Sequence, residues 1–423
     1  MTTTVHVATT VVPVVSPPIA DGAVAVTDGM IATVGRRSDV LAGHPGAEVV
    51  TWDGVLTPGL VNAHTHLQYT SFDAVGAERF TAYVQWAEQF VREYTARAGE
   101  DWRATALGGV AAGLRAGTTC FADVVTDVEA MDALVAADVA GVAYYEIIGV
   151  GEERWAASVE DRVRDVLTTA PRSAHARVGL SPHAPYSVSA QVIRDSCALA
   201  RRLGLRIHTH LAEIDSEEEL YRSGSGPWAD RVRSRVTRPW PLLDDGGSGL
   251  GTVEYAERCD LLGPDSHVAH GVYLDPLGRR RLAETGTIVA LCPRSNATVG
   301  IAPPPVAAYL RERVPFAVGT DSLGSNRSLD LLEDVAALRG LALDGGYAEA
   351  DLDRRLLAAA TVVGARSMGL DDLVGALVPD RRADLAIFAI EPDPRVVERA
   401  LVESGAGRCV AVLTAGRRRH DVT

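Results

Sequence analysis

The 423-residue chain reads as an α/β protein, a (β/α)8 TIM-type barrel with a small β-sandwich domain formed by both chain ends. Three observations lead there. Eight strand-like segments alternate with helix-like ones through the middle of the chain. Both ends are rich in short β-like segments. The length exceeds one ordinary domain but suits such a barrel with an appendage. The expected division is 1–56 with 371–423 for the sandwich, and 57–370 for the barrel. A doubly wound sheet is the competing architecture, but no GxGxxG follows the first central strand.

The N-terminal segments "VHVATTVVPVV", "DGAVAVTDGMIATVG" and "AEVVTWDG" combine alternation with Asp-Gly turns and predict a small antiparallel sheet. "ADLAIFAI" and "CVAVLTAGRRR" near the C-terminus match them. The barrel strands are expected at Leu60–His66, Thr118–Asp123, Val142–Ile148, Arg177–His183, Arg206–Leu211, Ser266–His270, Ile288–Cys292 and Pro315–Thr320. In "FTAYVQWAEQFVREY", Phe80, Tyr83, Val84, Ala87, Phe90, Val91 and Tyr94 keep a helical period. Further helices are expected at Asp101–Ala116, Gln191–Leu203 and Leu329–Leu343. The stretch from about Tyr221 to Gly251, with Trp228 and Trp240, is long and irregular. It reads either as a lid after the fifth strand or as plain surface.

Composition excludes several functions. A net charge of −14 argues against a nucleic-acid partner, which needs basic patches. No stretch is apolar enough to cross a bilayer and no signal peptide is evident. The five cysteines, Cys120, Cys197, Cys259, Cys292 and Cys409, form no CxxC, as expected of reduced thiols in a cytoplasmic protein. The chain has no lysine. That removes Schiff-base chemistry, a Walker-type loop, and any metal pair bridged by a carbamylated lysine.

Of eleven histidines, His6, His44, His175 and His420 lie in terminal, loop or surface-like contexts. The other seven cluster at or near expected strand ends: His64, His66, His183, His208, His210, His267 and His270. The eighth strand leads to Asp321. That face is where barrel active sites lie. Any one of these is ordinary as a polar core residue; all at one rim point to a metal. A His-x-His pair in a strand turns both rings to one side. In "HTHLAE", period-two geometry sends Glu213 away from His210, so the strand must end near Leu211 and bend to bring that carboxylate back.

"LTPGLVNAHTHL", "HTHLAE", "AHGVYL" and "GTDSLGSN", in that order, resemble the cytosine/adenosine-deaminase-like branch of the amidohydrolase superfamily. The tail "GALVPDRRADLAIF" resembles that branch's return to its β-sandwich; Asp380 and Arg381 stand where Gly and Lys are usual. The resemblance implies a metal-dependent hydrolytic deaminase with one divalent ion, zinc foremost and iron(II) the alternative. His64, His66, His210 and Asp321 would hold it. Asp321 and His270 would orient the metal-bound hydroxide and take its proton. Glu213 would pass a proton to a substrate ring nitrogen, after which ammonia leaves. His208 is expected behind the metal site or in the core, His267 in a structural place, and His183 against substrate.

Within the branch, "HTHLQYTSF", "FTAYVQWAEQFV" and "GTDSLGSNRSLDLLED" look most similar to aminodeoxyfutalosine deaminases, on the futalosine route to menaquinone. That substrate would need aromatic walls and a cation for its carboxylate. Tyr69, Phe72, Trp86 and Tyr186 are candidate walls, Arg294 and Arg327 candidate cations, and the Gln68 amide a reader of the purine edge. The alternatives are a deaminase of S-adenosylhomocysteine, methylthioadenosine or adenosine, and a guanine-type or formimino-amino-acid deaminase. A non-catalytic metal-binding barrel in an assembly is a different class, disfavoured by the retained Glu213, His270 and Asp321. The expected partner is a small adenine nucleoside-like molecule, with no nucleic acid and no membrane. A homodimer is the assembly considered, since many such barrels pair.

Overall fold

The structure, a computed structural model, describes residues 2–149, 152–235, 240–390, 393 and 395–421. The N-terminal strands are β1 (Thr3–Val11), β2 (Ile19–Thr27), β3 (Met30–Arg36) and β4 (Glu48–Pro58). The barrel strands follow: β5 (Leu60–Thr65), β6 (Thr118–Val125), β7 (Ala140–Ile147), β8 (Ala176–Pro182), β9 (Arg206–Leu211), β10 (Ser266–His270), β11 (Ile288–Leu291) and β12 (Phe316–Val318). All eight expected segments are strands, shifted at their ends by at most three residues. The chain closes with β13 (Leu385–Phe388), β14 (Cys409–Thr414) and β15 (Arg417–Asp421).

The terminal strands, expected as a sandwich, are hydrogen-bonded into one seven-stranded mixed sheet, ordered β15-β14-β13-β4-β1-β2-β3. β4 joins the two chain ends, pairing parallel with β1 and antiparallel with β13. The sandwich-like pattern has a simple cause: both faces of this sheet are apolar. Val5, Val7, Ala23 and Ala25 pack with Val40 of the Arg37–Gly43 helix. Val11, Val24, Ile31, Leu56 and Leu385 form a separate cluster.

The central strands pair in parallel, in sequence order from β5 to β12. β5, β6, β7, β10, β11 and β12 are buried along their whole length, as in a sheet covered on both faces. β4 runs almost directly into β5 through Gly59. A side chain there would collide with Thr119, because a Cβ would lie 2.0 Å from its Oγ1. Closure between β5 and β12 relies on one side chain rather than a long ladder. The Asn62 amide donates to Thr320 Oγ1 at 2.7 Å and accepts from the Thr320 amide at 3.1 Å. Beside it, the Asp321 amide donates to the His64 carbonyl at 2.9 Å. Gly319 permits the approach; a Cβ there would lie 2.7 Å from His64 Cβ.

The expected helices form at Tyr83–Ala96, Trp102–Arg115, Ala190–Arg202 and Leu331–Asp344. The first has no fully buried residue. Its apolar stripe lies over the barrel mouth, where Tyr83, Trp86, Ala87, Phe90, Val91 and Tyr94 line a cavity. Among the described residues, no helix is long and apolar enough to cross a membrane.

Removing the closure clamp should loosen the barrel. Asn62→Ala leaves the buried Thr320 amide without its acceptor, so a loss of about 2–4 kcal/mol is expected. Chemical denaturation checks this; an unchanged midpoint would mean that the seam is held by packing alone.

Candidate active site

The strand ends bring the chemical groups together. Single ring nitrogens of His64, His66 and His210 lie within 4.8 Å of one another. One oxygen of Asp321 stands equally close to ring nitrogens of His64 and His270. Asp321 Oδ1 is 3.6 Å from His64 Nε2 and 3.7 Å from His66 Nε2. Each of these side chains is almost entirely buried.

The backs of the rings are held by specific partners. His64 Nδ1 is 3.1 Å from His208 Nε2, and those two rings stack at 4.9 Å. His210 Nδ1 donates to the His183 carbonyl at 2.8 Å, which leaves Nε2 free to accept. His64 Nε2 is buried with no hydrogen-bond partner, and His270 Nε2 likewise. Burial pushes His66 down to about 3 and His64 well below the usual imidazole range, aided by the other rings crowded around them. The rings are therefore neutral, the protonation state that a metal requires. Neutral imidazoles, an adjacent carboxylate and unpartnered nitrogens fit a divalent cation, with outer partners fixing the tautomers.

His270 sits at the end of β10 with φ 77°, and Asp321 three residues beyond β12 with φ 61°. Ala212, just after β9, has φ 53°. The left-handed turn at Ala212 is the bend that "HTHLAE" requires. Glu217 holds it: its carboxylate accepts from the amides of Ala212 (2.9 Å), Glu213 and Ile214 (3.0 Å). Glu213 thereby returns to the centre. Its Oε1 is 3.4 Å from His270 Nε2, and its Oε2 accepts from the Tyr186 hydroxyl. Burial raises Glu213 to about 7, partly offset by His210 and Tyr186. Its carboxyl can thus both hold and release a proton near neutrality. His270 Nδ1 faces Asn296 Oδ1 at 3.2 Å, and the Ser295 hydroxyl donates to Asp321 Oδ2 at 2.7 Å. His267 stays structural, with Nε2 3.1 Å from the Ala63 carbonyl.

Above this centre lies a cavity of about 320 Å³. Its walls are mostly aromatic: Tyr69, Tyr83, Trp86, Phe90, Tyr94, Tyr186 and Trp228. His66, His183, His210, Glu213 and Asp321 line it too. Trp228 and Arg231 belong to the Pro227–Arg235 helix, within the irregular stretch after the fifth strand. The Trp228 indole donates to the Tyr186 carbonyl at 2.8 Å, so that part of the stretch walls the cavity. Residues 236–239 of the stretch lie outside the described residues.

Of the expected substrate contacts, His183 and Tyr69 line the cavity; Gln68 and Arg294 do not. Gln68 is fully buried and its amide is spent on the chain. Its Nε2 donates to Asp127 (2.9 Å), and its Oε1 accepts from the amides of Thr126 (2.9 Å) and Asp127 (3.2 Å). It braces the β6 loop and, fully buried, is not among the residues that line the cavity. Arg294 pairs with Glu333 and, at 3.5 Å, with Asp334. The same short helix, Pro293–Val299, contributes Ser295 and Asn296 to the site, so its arginine faces elsewhere. Arg327 donates to the Ala77 carbonyl, and Phe72 packs behind Tyr69. Among the described residues, the cation that lines the cavity is Arg231, paired with Glu88 at 2.8 Å and lying over the Trp228 ring. Nothing in its local sequence marked it, since only the covering segment brings it to the mouth. Glu146, at the end of β7, is another wall residue that the sequence reading passed over.

A family model described as the amidohydrolase family matches residues 55–416. A 5'-deoxyadenosine deaminase from Methanothermobacter thermautotrophicus is 30% identical over 377 residues, covering 87% of this chain and 80% of that one. An aminodeoxyfutalosine deaminase from Deinococcus radiodurans is 30% identical over 353 residues, covering 81% and 80%. The crystal structure of an adenosine deaminase from Xanthomonas campestris with bound zinc superposes with a TM-score of 0.82 at 23% identity, covering 99% of this chain and 93% of that one. The chain belongs to the amidohydrolase family.

The bend at Ala212 offers a direct test. Glu217→Ala frees three buried amides and should lower stability by about 2–4 kcal/mol. Equal denaturation midpoints for variant and wild type would show that the bend holds without this carboxylate.

Proposed function

We propose that this amidohydrolase is a metal-dependent hydrolytic deaminase of adenine nucleosides, with its catalytic barrel at residues 57–370. The observation that carries this reading is the buried Glu213 carboxyl, poised near neutrality between His270 and a cavity with aromatic walls. A metal-binding barrel with no chemistry to perform has no use for such a group.

In this reading His64, His66, His210 and Asp321 hold one divalent cation, with zinc preferred over iron(II). When bound, that ion lowers the pKa of a water by several units. Asp321 and His270 orient the water and take its proton. Ser295 and Asn296 keep those two side chains aimed. Glu213, held by Tyr186, delivers a proton to the ring nitrogen beside the amine-bearing carbon. That carbon becomes more electrophilic, the water oxygen adds, and the bond to the amino nitrogen breaks. The proton taken from water leaves with the amine as ammonia, and the proton of the added hydroxyl passes to Glu213, which restores that carboxyl and leaves a ring carbonyl. Tyr83, Trp86, Phe90 and Trp228 supply flat walls for a purine and keep bulk water out.

Among adenine nucleosides, the finer reading is conversion of aminodeoxyfutalosine to futalosine, a step toward menaquinone. Its support is the likeness to an aminodeoxyfutalosine deaminase and a cation at the cavity mouth, Arg231, to meet a carboxylate. A second reading has its own observation: Ala87, Val91 and Ile148 also line the cavity, and Val91 and Ile148 are exposed. They suit an uncharged 5′ end, as in 5′-deoxyadenosine, methylthioadenosine or adenosine. S-adenosylhomocysteine combines an apolar thioether with a carboxylate.

An ammonia-release assay of metal-replete protein over these five nucleosides tests both levels. Release from at least one is expected, and release from none would overturn the deaminase reading. Glu213→Gln should keep its metal content yet lose roughly two or more decades of turnover. Near-normal turnover would sink the proton-transfer role. Arg231→Ala should raise KM for the carboxylated substrates far more than for adenosine; equal effects would remove Arg231 from recognition.

A further inference from the structure

Resting on that deaminase reading, we propose that Glu146 reads a hydrogen-bond donor of the substrate other than the departing amine, and so selects nucleosides that carry one. Glu146 lies at the end of β7, next to the catalytic centre but outside the proposed chemistry. One of its carboxylate oxygens is within 4.8 Å of ring nitrogens of both His183 and His210.

The carboxylate is half satisfied. Oε2 accepts from the Thr126 hydroxyl at 2.8 Å. Thr126 has one proton and spends it there, so the Tyr69 hydroxyl, 2.8 Å from Thr126 Oγ1, must be the donor in that pair. The relay therefore runs from Tyr69 through Thr126 to Glu146 and ends. Oε1 is buried and has no partner. Its neighbours cannot supply one: the Ser187 hydroxyl spends its proton on the Ala184 carbonyl, so His183 Nδ1 donates to Ser187 at 2.7 Å, and His210 Nδ1 donates to the His183 carbonyl, which leaves Nε2 of both neutral rings without a proton. The residue is 7% exposed and lines the cavity. Burial raises this carboxyl to about 7, and in its ionised form a buried oxygen without a donor is costly, so an occupant of the cavity that brings a donor is favoured. A sugar hydroxyl and a ring amino group share that chemistry. A bare ring nitrogen or an acid would meet lone-pair repulsion at the same place.

The test compares kcat/KM of the full-length, zinc-loaded protein on adenosine, 2′-deoxyadenosine, 3′-deoxyadenosine and 2,6-diaminopurine riboside. Wild type should favour the donor-bearing member of at least one pair by about tenfold or more. The deoxy pairs report a hydroxyl, and the diaminopurine pair a ring amine. Glu146→Ala, at equal zinc content, should bring that ratio to within about threefold of unity by removing the acceptor. A wild-type ratio within threefold for every pair, or a preference that survives in Glu146→Ala, would overturn the proposal. If Glu146→Ala does not fold, Glu146→Gln keeps the shape and loses the charge. It must then weaken the preference, and an unchanged ratio overturns the assignment. No ammonia from any of the four with wild type would instead overturn the deaminase reading beneath it.

Discussion

The hydrogen bonds between Asn62 and Thr320, 258 residues apart, make the site one object. They join the first barrel strand to the last, and they sit between the residues that matter. His64 and His66 lie two and four residues after Asn62; Asp321 follows Thr320 directly. A sheet left open at this seam would leave the imidazoles on one edge and the carboxylate on the other. Closure is therefore both a stability term and the step that assembles the donor set. The absence of a long ladder here explains why a side-chain amide is used. An Asn can both donate and accept across a gap that regular strand pairing does not span.

The same economy governs charge. The centre holds several titratable groups, almost entirely buried, within a few ångströms of one another. Burial keeps the imidazoles neutral and pushes Glu213 and Glu217 up to about 7. These two glutamates differ in what they do. Glu217 is surrounded by backbone amides and fixes the chain; Glu213 is left facing the cavity with the phenols of Tyr186 and Tyr83 on it. Environment, rather than residue type, separates the two roles. A barrel strand that must bend to aim a carboxylate needs something to hold the bend, and a second carboxylate over three amides does so.

Much of this was legible in sequence because the relevant patterns are local. Strand-like runs alternating with helix-like ones located all eight strands, and the His-x-His pairs announced their shared face. Where local pattern stopped, the reading erred in instructive ways. Arg294 and Ser295 are adjacent, and their helix turns one toward Glu333 and Asp334 and the other toward Asp321, so a motif alone could not say which one reached the site. Gln68 follows the metal pair and suggested base recognition, but a loop 58 residues away claims its amide. The apolar stripe over Tyr83–Tyr94 identified a helix correctly and yet said nothing of what it faced. A stripe reports a dry neighbour, and here that neighbour is the cavity. Arg231 and Glu146 were invisible for the opposite reason. Nothing about an isolated Arg or Glu in a sequence shows that folding will place it on a cavity wall.

The left-handed residues at the strand ends have one more consequence. His270 and Asp321 occupy a conformation that glycine adopts freely and that other side chains adopt at a cost. Their side chains are the reason those positions cannot simply become glycine. The fold carries such residues at the rim where its chemistry resides, and also at the opposite end of the barrel, at Asp138, Asp260 and Arg313, and around the terminal sheet, at Val14, Asp28 and Ala415, where no chemistry depends on them. Thermal hardening by backbone relaxation has room in the lower barrel and the terminal sheet, and at the rim every gain in comfort would be a loss of reactivity.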